Sequence, residues 1–260
     1  MLIIRPEQMD VFQQHAFHSF EDRMVRHIRK HFTHTYEYQG EKNVREVVRY
    51  ADRQARAYGF ETQRSLCLYL TVCYMFGACF DEDPLLPWAR DILKTKPVVY
   101  PEYLIDDLAD KALEVSDQVH GPDSKHLIRA FIYLRKYLPR LKDEPDWDPF
   151  HERMIDMLEA IFPARFEAVD AASINNLIEQ GLQQATGYGL TKQNGLRLFL
   201  VGKFLFGTHC DRDPMWARLA EPLHNPNLLD EQQRITMLYQ NAAECLAAYL
   251  KIIPEEKSDE

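Results

Sequence analysis

Glycine is scarce, with 10 in 260 residues, and turn dipeptides are few. A hairpin-rich β fold needs glycine at its tight turns, so the shortage favours helix. No long membrane-type run is present either. The most apolar stretch, Leu66 to Phe80, falls short of the roughly 20 residues a bilayer span needs. The start, Met1-Leu2-Ile3-Ile4-Arg5-Pro6, has no apolar segment of signal-peptide length. Cys67, Cys73, Cys79, Cys210 and Cys245 are odd in number and form no C-x-x-C pair. Buried thiols in a reducing cytoplasm account for them. There is no G-x-S-x-G, phosphate-cradling glycine loop or dinucleotide fingerprint. A net charge of −9 argues against nucleic acid, whose backbone is neutralised by clustered Lys and Arg.

What the chain does contain is one stretch written twice. Tyr58-Gly59, Phe76-Gly77 and Asp81-Glu82-Asp83-Pro84 return as Tyr188-Gly189, Phe206-Gly207 and Asp211-Arg212-Asp213-Pro214. Each pair has the same offset (189 − 59 = 130), and Trp88-Ala89-Arg90 and Trp216-Ala217-Arg218 follow. Ungapped agreement of this kind predicts a duplicated unit. The expected fold is all-α: two tandem, pseudo-symmetric units of about five helices each. Unit one covers 1–123, a linking helix and Pro-rich linker 124–149, unit two 150–253, and a charged tail 254–260.

Helical spacing of Met9, Phe12, Phe17, Phe20, Met24, Ile28 and Phe32 predicts a long first helix opened by Pro6. A polar loop, Thr33 to Glu41, is expected next, then a helix from about Asn43 to Tyr58 ended by Gly59. Thr62 caps the repeated helix. Its residues leave almost no polar face, so it belongs in the middle of its unit, with Leu66, Leu70 and Phe76 buried like Leu196, Leu200 and Phe206. Trp88, Ile92 and Leu93 mark a short helix, and Pro101 to about His120 a longer one. Ser124 is read as the cap of a helix from Leu127 to Leu138. Pro139 to Pro149 reads as linker, because three prolines do not fit one helix. Pro226-Asn227-Leu228-Leu229 restarts the last long helix.

The paired aspartates are the most tempting chemistry. Two carboxylates one residue apart suit a hard cation. Asp83-Pro84 and Asp213-Pro214, however, match an N-cap followed by proline at the first helical position. No further ligands recur at fixed spacing, so Asp81, Asp83, Asp211 and Asp213 are read as structural caps. The first acid of each pair is expected to bond loop N–H groups or Arg23 and Arg153. His15, His18 and Asp22 share a face, and His27 and His31 have a zinc-compatible spacing. Met157 and Ile161 replace the latter two in the second unit, which suits packing better than ligation. Cys79 aligns with His209 and Cys210 with Phe80, so no Cys/His pair recurs to supply a nucleophile and base. No catalytic, cofactor or metal residues are assigned.

Met1-Leu2-Ile3-Ile4-Arg5-Pro6-Glu7-Gln8-Met9, Phe20-Glu21-Asp22-Arg23-Met24-Val25, and Phe80-Asp81-Glu82-Asp83-Pro84 with Pro87-Trp88-Ala89 resemble a group of small helical bacterial proteins. These are accessory proteins encoded beside spike, PAAR and effector genes of type VI secretion clusters. The resemblance covers about the first 95 residues and extends to the second unit through the duplication. It implies a cytoplasmic, non-enzymatic adaptor or co-chaperone that binds a secreted effector or its loading machinery. An immunity protein covering a toxin is the near alternative, and a metal-dependent helical hydrolase the enzymatic one. Partner contacts are expected where the copies differ: the Arg26, Arg29, Lys30 face with His15, His18 and His27, the Thr33–Glu41 loop with Tyr36 and Tyr38, and Tyr133 and Tyr137 of the linking helix. Tyr and Arg often carry interface energy.

Overall fold

The computed structural model describes residues 6–94, 100–228 and 230–251, and of residues 6–14 and 16 the backbone alone. The side chains of Met9 and Phe12, the residue Leu229 and the 254–260 tail therefore lie outside the described residues. Among those described, the chain forms helices and no strand. The helices are α1 (Pro6–His31), α2 (Thr33–Ala57), α3 (Gln63–Phe76), α4 (Pro87–Lys94), α5 (Pro101–Val119), α6 (Lys125–Asp143), α7 (Phe150–Ile161), α8 (Pro163–Glu167), α9 (Ala171–Gly187), α10 (Gln193–Phe206), α11 (Ala217–His224) and α12 (Glu231–Leu250). The expected all-α class is observed.

Local chemistry sets the ends of the two repeated helices. The Thr62 hydroxyl accepts the Ser65 N–H at 3.1 Å, capping α3. Its counterpart α10 has Lys192 there, and the Glu231 carboxylate at the start of α12 accepts the Thr191 and Lys192 N–H groups instead. Gly59 and Gly189 end the preceding helices at φ 83° and 71°. There the Phe60 and Leu190 N–H groups close back onto the Ala55 and Ala185 carbonyls at 3.0 and 2.9 Å, the bond of a Schellman stop.

Helices of the first half pack on helices of the second. α2 lies against α1, α3 and α12, while α6 lies against α12, α10 and α7. One apolar cluster takes residues from Phe20 through Leu250. Leu66, Leu70, Phe76, Leu200 and Phe206 are buried in it. Leu196 is only partly buried. Arg197 takes the inward position beside it, donating to the Glu144 and Pro145 carbonyls at 2.9 and 3.2 Å.

Three local expectations are overturned. The Thr33–Glu41 loop is helical as far as Gln39, and the only break within α2 is Gly40 (φ 75°, ψ 157°). Tyr38 is buried against Tyr249, with the Arg218 guanidinium over its ring at 5.4 Å. That tertiary contact stabilises a helix the polar sequence disguises. Ser124 makes no side-chain cap (φ 58°), and α6 begins directly after it. Pro139 sits inside α6, which continues to Asp143 because Leu138 and Leu141 anchor its apolar face. The rest of the expected linker is pinned rather than loose. Trp147 is buried, it exchanges two hydrogen bonds with the Gln193 side chain, and the Arg197 guanidinium lies 4.7 Å from its ring centre.

Candidate functional site

The two acidic turns meet. Asp83 accepts the Leu85 N–H of its own turn at 2.9 Å. It also accepts the Thr208 N–H and hydroxyl, across the molecule, at 3.0 and 2.9 Å. Asp213 repeats the arrangement: it accepts Met215 N–H at 2.7 Å locally and Cys79 N–H at 3.2 Å across. Each turn thus satisfies backbone donors of the other.

The approach is close enough to require glycine at Gly77 and Gly207, with φ 103° and 101°. A Cβ on Gly77 would stand 3.0 Å from an Asp213 carboxylate oxygen, and one on Gly207 would stand 3.2 Å from Asp83. Glu82 and Arg212, which occupy equivalent positions (212 − 82 = 130), form an ion pair with each other. Both are exposed, so that pair adds little stability.

The first acid of each turn bonds neither Arg23 nor Arg153. Asp81 and Asp211 accept the Tyr58 and Tyr188 hydroxyls, each at 2.8 Å. Arg23 donates to Ser19 and Gln63, and Arg153 lies over the Trp147 ring. Tertiary placement explains the change: each tyrosine, one residue before the glycine that ends its helix, is aimed at its own turn.

The two copies differ electrostatically. Burial raises the Asp81 carboxyl above the usual range, against the bond from Tyr58. At Asp211 burial is the largest single effect and acts in the same direction, but the hydrogen bond and charge of Lys203, at 2.9 Å, together with the Tyr188 hydroxyl and a backbone N–H, hold the carboxyl below the usual range. Cys73 stands in place of Lys203 in the first copy (203 − 73 = 130). Burial pushes Asp213 up to about 6, against the N–H groups of Met215, Cys79 and Ala78. Behind Asp83 lies the buried guanidinium of Arg165, whose own pKa is lowered by burial and partly restored by that carboxylate. The position equivalent to Arg165 in the first half is Thr35 (165 − 35 = 130), whose hydroxyl accepts from Tyr249.

These groups offer little for chemistry. Among the described residues no three His, Cys, Asp or Glu side chains gather to hold a metal. The Asp83 and Asp213 oxygens already accept the bonds named above. Burial pushes the Cys79 thiol up to about 12, with Asp213 adding to the rise, and leaves it poorly ionised. The His27 and His31 rings lie 4.6 Å apart on α1, tilted by 37°.

The expected contact residues stand apart from the turns. Arg26, Arg29 and Lys30 are exposed on α1, with Arg29 over the Tyr36 ring at 5.7 Å. Tyr133 is 39% exposed and stacks on Tyr137 at 5.9 Å, while the Tyr137 hydroxyl donates to Glu144. Tyr38, expected among them, is buried. Two exposed aromatics were not anticipated: Tyr100 and Tyr103 open α5 at 76% and 64% exposure. Their place at a helix start opened by Pro101 was the available signal. No helix among the described residues is long and apolar enough to cross a membrane. No family model matches the chain, and comparison with curated proteins and with solved structures likewise finds no match.

Proposed function

We propose that this chain is a non-enzymatic, cytoplasmic binding protein: an adaptor or co-chaperone that holds a secreted effector of a type VI secretion cluster before export. The observation that carries the reading is how the twice-written polar residues are used. Asp81, Asp83, Asp211 and Asp213 are engaged in bonds internal to the fold, whereas Arg26, Lys30 and Tyr133 remain at the surface. A helical scaffold locked at its centre and presenting aromatic and basic side chains outside suits a preformed docking surface. The secretion context rests on the resemblance of the first 95 residues.

The test is a pull-down of the effector encoded next to this chain. Arg26→Glu/Arg29→Glu and Tyr133→Ala/Tyr137→Ala variants, each with a wild-type melting curve, should lose the effector. Retention by both, with loss on changes confined to residues 150–250, would move the contact surface to the second half. If co-expression also protects cells from the effector's toxicity, the role is immunity rather than loading.

A further inference from the structure

A polar cleft of about 280 Å³ opens between α9 and the first acidic turn. One wall is a ladder of amides, Asn176, Gln180 and Gln184, at i, i+4 and i+8. The other wall is Glu82, Pro84 and Arg90, and His209 lies between them. Glu82, Arg90 and His209 also line an adjoining hollow of about 390 Å³ that reaches Lys94, so the two form one trough.

In the other half a hollow of about 500 Å³ opens at Asp211, Arg212 and Glu221, but the gap between the equivalent helix and turn is bridged. There Gln39 and Asn43 of α2 donate to the Met215 and Pro214 carbonyls at 3.0 and 2.8 Å. Tyr50 fills the wall and bonds the Cys79 sulfur at 3.3 Å. At the offset of 130 these closing residues become Val169, Ser173, Gln180 and His209. Neither Val169 nor Ser173 carries a side-chain amide to reach the Pro84 turn, and Gln180 lacks the ring that plugs the first copy. The gap between α9 and the first acidic turn is open because no side chain there does what Gln39, Asn43 and Tyr50 do in the other half.

We infer that this trough binds an extended, acidic peptide segment, with the α9 amides pairing to its main chain and Arg90 and Lys94 taking its carboxylates. The inference names a site and a ligand class for the protein-binding role proposed above and rests on that reading. Amides one helical turn apart are spaced by about 6 Å, and alternate residues of an extended chain by about 6.6 Å. Each side-chain amide carries both a donor and an acceptor, as a peptide unit does. No hydrogen bond within the chain engages the Asn176, Gln180 or Gln184 side chains among the described residues. The ladder spans about 12 Å, room for roughly four extended residues. Charge selects the acid. Glu82 is paired with Arg212 and Lys203 with Asp211, whereas among the described residues Arg90 donates to the Glu82 carbonyl alone and Lys94 is exposed. Asp81, which also lines the hollow and accepts the Tyr58 hydroxyl, offsets one of the two cations, so the trough keeps a net charge of about +1 (Arg90 and Lys94 against Asp81) in a chain of net charge −9.

The test is fluorescence anisotropy of the full chain with a labelled (Glu-Ser)4 octapeptide, its (Lys-Ser)4 counterpart, and a (Glu-Ser)4 peptide N-methylated at alternate residues. The acidic peptide should bind, and the other two should bind at least about tenfold more weakly. Arg90→Glu should weaken the acidic peptide about tenfold or more. Gln180→Tyr, which installs the Tyr50 ring of the other half at an exposed position, should weaken it similarly, and Lys42→Glu, an exposed cation outside the trough, should leave it unchanged. No binding at about 1 mM peptide, equal binding of the N-methylated peptide, or binding indifferent to both trough variants overturns the inference. Because the probe is a defined peptide, the outcome is separable from the effector pull-down. Peptide binding without effector capture removes the secretion reading and keeps the trough, and effector capture without peptide binding does the reverse.

Discussion

Asp83 and Thr208, 125 residues apart, are joined by two hydrogen bonds, one to the backbone N–H and one to the hydroxyl. The same carboxylate caps Leu85 two residues on. A residue that reads locally as a turn cap is also a tie between distant parts of the chain, and both roles act in a buried setting where an unpaired donor is costly.

Removing that carboxylate should therefore cost more than the 0.5–2 kcal/mol typical of a lost cap. Asp83→Ala strands the Leu85 and Thr208 N–H groups, and we expect a loss of about 2–4 kcal/mol in urea unfolding. Thr208→Val removes the hydroxyl alone, and the double mutant should show a coupling of about 1 kcal/mol with Asp83→Ala. Strict additivity would mean the crossing hydroxyl bond contributes nothing.

Lys203 is the main counterweight to burial at Asp211. In Lys203→Met the carboxyl should rise above the usual range, as burial already makes the equivalent Asp81 do. Carboxyl carbon NMR titration reads this directly, and an Asp211 signal that stays put refutes the assignment. Breaking a buried pair by removing one partner should also cost about 3–5 kcal/mol.

His120 makes stability depend on acid. It is stacked between Phe76 and Phe162, and burial first, then the charge of Arg165, pushes it down to about 4. Between about 6.5 and 4 the unfolded chain binds a proton there that the folded chain refuses, so this contribution is intact above the window and falls as pH drops through it. Asp213, raised to about 6, works oppositely: its folded form takes up a proton first and gains stability as pH falls from 6 toward 3.8. His120→Phe keeps the aromatic stack and removes the first effect. Its stability relative to wild type should improve by about 2 kcal/mol between pH 7 and pH 4.5. A pH-independent difference would remove His120 as the cause.

The core offers an internal control. Leu70 is 2% exposed, and Leu70→Ala should cost about 2–5 kcal/mol. Leu196→Ala, at a partly buried rim position, should cost less than half as much. Equal losses would mean that the inward place of Arg197 is wrongly described.

Helix-ending glycines, the Thr62 cap and the apolar sweep from Leu66 to Phe76 were legible in the residues because they depend on backbone conformation and on burial within one helix. Leu196 was misjudged for the converse reason. Its spacing copies Leu66, but a buried arginine beside it takes the inward place.

Composition, periodicity and the 130-residue echo determined by themselves that this chain is helical and where its strongest stops fall, since those follow from φ preferences and the 3.6-residue turn. Tertiary structure alone decided what the repeated acids do. Asp83 and Asp213 satisfy donors that are distant in sequence and adjacent only after folding, and no local pattern encodes that adjacency. It likewise decided that Tyr38 is core, that the proline-rich segment is pinned by Arg197 and Gln193, and that the gap between helix and acidic turn is bridged in one half and open in the other. Each of those outcomes depends on which side chain arrives from another helix, and spacing along one helix does not carry that information.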